Sequence, residues 1–586
     1  MRNRARRGMV ALVWSAAAAA TVCAVETPWA DLRATQLRLR EARRERAVAQ
    51  GALTALGEHT DWGGNKAVLQ ARARLAECEA AYRSLVAKGD LAVLEKQRDE
   101  ADRKCREVIE REVIGDEAAY AALLADLERA RRERDELHAR KDLSGDDAKR
   151  LARLRIRVAE LDRVRDSQLK ALWLHNAAAN VFKDCAWRRS QWQEAHAKGQ
   201  PAGEAQAALD AAGTDLAAVY QAELAGTAAG KLLLAERDGL DREITELTAR
   251  MEGLVRAKGG DKSLWKHHEV QFELPPDKEG KSAGAAKVGF WHLPEVRVIR
   301  GLIVRGLDHP MILMAAADCD LAFVWVNAPR GVDIRSGNPS CFELALARAA
   351  EASGHPEVAH LPFLTKGTSA GVLFARNMGF WKPERCIGVV HHAGGNLHHA
   401  RGSPPTQMPH VPFLAINGEF ERYGPEGSGH ASGIYGIRGE YGKQTQWVMC
   451  REQLLRMRRQ DPDHLISLVV QPRGDHAAWD EDLWWITAMF VRKAARARIP
   501  ALDGPPTQEV RCVPLKASDG WLSDARLDHP RHPPAAHADY RGDKVEAFWH
   551  LDKEMAQTVA AYHDGEFYLP DLSLKHPVPA DWGVVK

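Results

Sequence analysis

Ser369 lies in Gly367-Thr368-Ser369-Ala370-Gly371, with a glycine two positions away on either side. A serine hydroxyl is a weak nucleophile at neutral pH and needs a neighbouring base to take its proton. The chain supplies acids and a base further on: Glu419 and Glu421 in Gly418-Glu-Phe-Glu421, then His476 in Gly474-Asp-His476. Serine, then acid, then histidine is the order that a nucleophile elbow predicts. The chemistry such a set can perform is acyl transfer, with the serine attacking a carbonyl and the histidine carrying the proton.

These residues can act together only if the fold gathers them. From Glu269 onward, apolar runs alternate with helical stretches. The runs are Val296–Val304, Leu321–Asn327, His360–Lys366, Cys386–His391, Val411–Asn417 and Leu465–Gln471. The helical stretches are Phe342–Ser353, Val372–Met378, Gln444–Arg459 and Asp480–Arg498. Apolar strands alternating with helices predict a mostly parallel sheet covered by helices on both faces. Ligands bind such sheets beyond the carboxyl ends of the strands. The glycine-flanked serine falls where a strand ends and a helix begins, the context that an elbow requires. Ser369 would stand above the sheet, and the Ala370 N–H at the helix start would face a developing oxyanion. The two glutamates and His476 each follow directly on a strand end.

On Gly367-Thr-Ser-Ala-Gly371, the acidic site after Ile416-Asn-Gly418, and Gly474-Asp-His476 before a helix, residues 290–500 resemble the α/β-hydrolase superfamily. The nearest group in character is the secreted polyhydroxybutyrate-depolymerase and feruloyl- or acetyl-esterase group. The resemblance implies Ser369 as nucleophile, His476 as general base and acid, and Glu421 as the group orienting the imidazole. The family position for the acid, three residues past the glycine of that turn, falls on Glu421; Glu419 is the competitor. No His-Gly-Gly-Gly oxyanion motif is present. The equivalent loop reads Arg305-Gly306-Leu307-Asp308-His309, so Gly306 or Leu307 would supply the second oxyanion N–H. The implied function is a serine carboxylic-ester hydrolase without a cofactor. Its substrates would be ester-bearing carbohydrates or polyesters. A serine peptidase on the same fold and a non-catalytic scaffold with a degenerate hydrolase domain are the alternatives.

Around the nucleophile, His391-His392-Ala-Gly-Gly-Asn396-Leu-His398-His399 follows a strand end. Without a His-Glu-x-x-His pattern these histidines read as pocket lining, not metal ligands. His392, Asn396 and Trp479 are the expected substrate contacts. Trp484 and Trp485, at neighbouring helix positions, read as packing.

The chain has 586 residues, too many for one core, so several domains are expected. With 82 Lys and Arg against 80 Asp and Glu, a nucleic-acid-binding surface is not its main business. Residues 1–24 read as a secretory signal, with Arg2, Arg4, Arg6 and Arg7 ahead of an Ala-rich apolar run and Val22-Cys23-Ala24 for cleavage. A secreted or periplasmic protein without an integral membrane span follows. Residues 25–260 are rich in Ala, Leu, Arg and Glu, and their apolar residues recur at steps of three and four. Leu151, Leu154, Val158 and Leu161 form one seam; Tyr120, Leu123, Leu127 and Leu137 form another. They predict a helical hairpin or coiled coil, which could also join copies of the chain as a homo-oligomer. Residues 261–500 form the hydrolase domain. Residues 501–586 form an extension packed on it, with one amphipathic helix over Val545–Val559. Export permits disulfides, and Cys319 with Cys341 is a candidate pair.

Overall fold

The computed structural model describes residues 2–87, 89–108, 118–175, 187–188, 190–194, 200–274, 284–305, 309–327, 340–394, 408–418, 446–472, 479–525 and 532–563. The N-terminal region is helical, as expected from its strong helix formers. Its helices are α1 (Arg2–His59, side chains described from Trp29), α2 (Lys66–Val86), α3 (Gly89–Val108), α4 (Ala118–His138), α5 (Gly145–His175), α6 (Gln200–Leu224) and α7 (Ala228–Ala257). Asn65 caps α2 by accepting from the Val68 N–H, and Thr227 caps α7 by accepting from Gly230. The helices form a bundle in which α1 packs on α5, α6 and α7, α2 packs on α6, and α4 packs on α5. The Leu151, Leu154 seam is buried with Val48, Leu53, Leu56 and Leu137. Among the described residues, no helix is long and apolar enough to cross a membrane.

The second half is a mostly parallel eight-stranded sheet covered by helices on both faces, as the alternation of apolar runs and helical stretches predicts. Eight strands lie in the order β1-β2-β4-β3-β5-β6-β7-β8. β1 (Lys266–Glu273), β2 (Ala285–His292) and β4 (Leu321–Asn327) pair antiparallel. β3 (Gly301–Val304), β5 (Phe363–Thr368), β6 (Cys386–His392), β7 (Phe413–Gly418) and β8 (Ile466–Gln471) continue from β4 in parallel. Strands β6 to β8 are buried along their whole length, which is why they read as unbroken apolar runs. Two cores lie on the two faces of the sheet. Phe342, Phe363, Val389, Phe413 and Leu468 belong to one; Ile303, Leu364, Val390, Leu414 and Val469 belong to the other. Successive strand residues thus alternate between them. Helices α8 (Pro310–Ala317), α9 (Ser340–Ser353), α10 (Val372–Trp381), α11 (Gln446–Gln460) and α12 (Glu481–Arg498) cover the faces.

The helical bundle docks on the second core through the described start of α1. Trp29 and Leu32 join that core. The Trp29 ring meets Trp485 edge-on at 5.5 Å between centroids, and its indole N–H donates to Asp318. Arg33 and Arg40 both reach Asp482, at 2.6 and 2.8 Å. The bundle joins the sheet at Gly259, where φ is +74°. A Cβ at this position would lie 2.8 Å from that of Ala317, so only glycine fits.

Several expectations from the sequence change. The Val296–Val304 run gives only a four-residue strand, because Val296–Arg300 turns across the base of the sheet before β3 begins. The β1–β2 hairpin and α8 are additions to the expected elements. Val545–Val559 is not one helix: Ala547–His550 is strand β11, which pairs with β9 (Trp521–Asp524), and helix α13 (Lys553–His563) follows. Its strand half is buried at every position, so packing overrides the amphipathic pattern. Cys319 and Cys341 lie in the two different cores, on opposite faces of the sheet, and cannot pair. The small β10-β9-β11 sheet, with β10 at Ala535–Ala536, and α13 cover the outer edge of β8. There the His563 Nε2 accepts from the Val470 N–H at 3.0 Å and the Ser467 hydroxyl donates to the Trp549 carbonyl.

Candidate active site

Strand β5 ends at Thr368, residues Ser369–Gly371 make a single tight turn, and α10 starts at Val372. Ser369 has φ +53°, in the left-handed region that a residue with a Cβ enters at a cost. The turn can be this sharp because Gly367 has no side chain. A Cβ there would collide with the Gly371 carbonyl and lie 2.8 Å from the Val372 Cα. The glycine before the serine therefore lets helix and strand cross in near contact. The Ala370 N–H lies in this turn at the helix start, where backbone donors are not consumed by the helix.

At the carboxyl end of the sheet, Thr368 pairs with His392, and Gly418 pairs with Gln471. The Thr368 hydroxyl and the His392 Nδ1 are 3.4 Å apart. His392 and Trp479 are brought together, with ring centroids 4.0 Å apart. Trp479 stacks on Trp484 at 3.8 Å, and Trp484 on His309 at 4.5 Å. Trp484, expected only to pack, is thus part of a column of rings beside the elbow, while Trp485 does pack, against Trp29. Beneath the column lies the Lys366 ammonium, 5.0 Å from the Trp479 centroid and 4.6 Å from that of Trp484. Lys366 is buried three residues before Ser369. Its signal in the sequence is that it is the one charged residue of β5.

His391 turns to the opposite face, beside Phe413. Burial, with Arg376 and His392 adding to it, pushes its pKa down to about 3, so it is a neutral core residue apart from this site. Arg305, at φ +66°, ends β3 and lays its guanidinium over Phe374 of α10 at 4.7 Å. Gly306, Leu307, Asn396, Glu419, Glu421 and His476 themselves lie outside the described residues.

Helix α12 begins directly after the stretch that contains His476, and its start is anchored from three sides. Asp480 accepts from the Leu483 N–H at 2.7 Å, the Tyr562 hydroxyl at 2.8 Å and the Gln471 amide at 3.1 Å. Burial and the nearby Asp482 charge raise the Asp480 pKa against those bonds. Asp482 is held by Arg33 and Arg40, and Gln36 reaches Glu481 at 3.3 Å. Nothing local in the sequence pointed to this bracing.

No family model matches the chain, and no curated protein matches it. Solved structures to which it is similar include a zinc-bound cold-adapted esterase from an Arctic intertidal metagenomic library, at 14% identity over 40% of this chain and 96% of that one, with a TM-score of 0.25. A fungal esterase from Rhizomucor miehei is 9% identical over 42% and 91% of the two chains, with a TM-score of 0.25. A hyperthermophilic esterase from Pyrobaculum calidifontis is 10% identical over 44% and 87%, with a TM-score of 0.22.

Proposed function

We propose that this protein is an exported serine carboxylic-ester hydrolase with Ser369 as nucleophile, His476 as general base and acid, and Glu421 as the orienting carboxylate. The observation that carries the reading is the backbone at Ser369: a non-glycine residue at φ +53° between a parallel strand and a helix, with Gly367 packed flat against the turn. Strain of this kind persists where the surrounding structure enforces it, and it presents the hydroxyl above the sheet.

The partners are within reach. At about 4.8 Å per strand, β5 and β8 are roughly 14 Å apart. His476 stands five residues beyond β8 and Glu421 three beyond β7, and extended chain spans roughly 3.3 Å per residue. In the reaction, His476 takes the Ser369 proton as Oγ adds to the ester carbonyl. The oxyanion is met by the Ala370 N–H and by that of Gly306 or Leu307. Collapse expels the alcohol, which leaves with the proton from His476. Water, deprotonated by the same histidine, then releases the carboxylic acid from the acyl-enzyme. His392, Asn396 and Trp479 would contact a polysaccharide-linked or polymeric ester. Removal of residues 1–24 on export would leave intact the contacts that Trp29 and Leu32 of α1 make with the second core.

The test is labelling of the purified protein by a fluorophosphonate, beside Ser369→Ala and His476→Ala. Labelling lost in both variants is the expected result. A folded wild-type protein that takes no label would overturn the reading in favour of a scaffold, and cleavage of peptides but not esters would move it to a peptidase.

A further inference from the structure

We propose that Glu58, His59 and His138 bind a divalent transition-metal ion of the zinc class at one tip of the helical bundle. The site is remote in the chain from Ser369 and independent of the reading above. His59 is the last residue of α1 and His138 the last of α4. Two helix C-termini, each the negative end of its dipole, therefore meet where the cation would sit.

The ring nitrogens there both present lone pairs. The His59 Nδ1 is 2.9 Å from the Arg140 carbonyl, which can only accept, so Nδ1 carries the proton and Nε2 the lone pair. The His59 Nε2 faces the His138 Nδ1 at 3.3 Å. The Arg155 Nη2 lies 3.4 Å from that same His138 nitrogen, and a guanidinium only donates, so this nitrogen also accepts. Glu58 adds a carboxylate, and the three ligand atoms lie within 4.8 Å of one another.

The spacing suits a metal. Two nitrogens each about 2.0–2.1 Å from a tetrahedral ion stand about 3.3–3.4 Å apart. The rings approach edge to face, with centroids 5.1 Å apart and planes at 88°, so they converge from different directions. The Arg140 carbonyl that orients His59 is the kind of outer partner that metal-binding imidazoles use. Arg155 now meets the need for positive charge, pairing with Glu58 at 2.6 Å while touching His138. It is a long, partly exposed side chain that can swing aside, leaving a water to complete four-coordination. The bound ion would join the ends of α1 and α4 beside α5.

The test is zinc titration of the chelator-treated full chain by calorimetry, with cobalt(II) visible absorption as a report on geometry. The chain has 24 histidines, so the difference between variants is the readout. The expected result is one equivalent bound, weakened at least tenfold by His59→Ala and by His138→Ala, and tightened severalfold by Arg155→Gln. A tetrahedral cobalt spectrum should vanish in the histidine variants while circular dichroism stays unchanged. No stoichiometric binding by the folded wild type, or binding equal in all variants, would overturn the proposal and leave an Arg155-centred polar cluster.

Discussion

Arg33 and Asp482 stand 449 positions apart in the chain and meet at 2.6 Å, where the helical bundle touches the first turn of α12. The Asp482 side chain is only 6% exposed, and Arg40 holds its second oxygen. Removing one partner of a buried pair leaves an uncompensated charge, at a cost of about 3–5 kcal/mol. Arg33→Ala should fall below that range, because Arg40 remains; the double variant Arg33→Ala/Arg40→Ala should reach it in urea unfolding. Since α12 follows the stretch bearing His476, the double variant should also label more slowly at Ser369. Unchanged labelling in a destabilised double variant would limit the contact to a structural role.

The backbone at Ser369 allows the proposed nucleophile role to be tested apart from stability. Ser369→Ala keeps the strain and loses the hydroxyl, so it should be inactive and close to wild type in stability. Ser369→Gly should be equally inactive yet more stable than Ser369→Ala by about 1 kcal/mol, because glycine adopts a positive φ without steric cost. Thermal melting of the pair checks this. Equal melting temperatures would mean that the turn relaxes.

Gly367→Ala should disrupt the elbow even though it removes no functional group. Its Cβ would meet the backbone of Gly371 and Val372, which cannot rotate away as a side chain could. A loss of about 1–3 kcal/mol, as for overpacking elsewhere, with labelling reduced at least tenfold, is expected from unfolding and probe kinetics.

Acid should destabilise the half of the protein built on the eight-stranded sheet. Burial lowers the pKa values of His391, His550 and His563 to about 3 from 6.5. Above pH 6.5 neither folded nor unfolded chain holds these protons, and no stability is lost. As pH falls below 6.5 the unfolded chain takes protons that the folded chain refuses, so stability drops towards pH 3. Each histidine contributes at most about 1.4 kcal/mol per pH unit, or about 4 kcal/mol for three. Denaturant unfolding at pH 7, 6 and 5 measures the slope. His563→Gln, which retains an acceptor for the Val470 N–H, should make it shallower.

Trp479 should matter to substrate as well as packing. Trp479→Phe preserves a ring between His392 and Trp484, whereas Trp479→Ala opens the column beside Lys366. Trp479→Ala should lower kcat/KM for an active polymeric ester by at least tenfold, with Trp479→Phe intermediate. Equal activity in both would restrict the ring to packing.

Local pattern alone determined a good deal of this protein. The strands β6 to β8 were legible because each is buried along its whole length and reads as a mainly apolar run. The helical bundle was legible because one stripe of each helix must be covered. Gly367 and Ser369 were legible because a tight turn and its backbone requirements are contained within five consecutive residues. Tertiary structure decided the rest. Lys266–Glu273 carries lysine, two histidines and two glutamates, and becomes a strand only because β2 pairs with it at the sheet edge. Val296–Arg300 is β-branched yet turns, because the chain must cross below the sheet to enter β3. The column from His392 to His309, the grip of Arg33 on Asp482 and the meeting of His59 with His138 join residues from distant segments. A local sequence pattern records which face of an element must be buried; it does not record which distant element buries it.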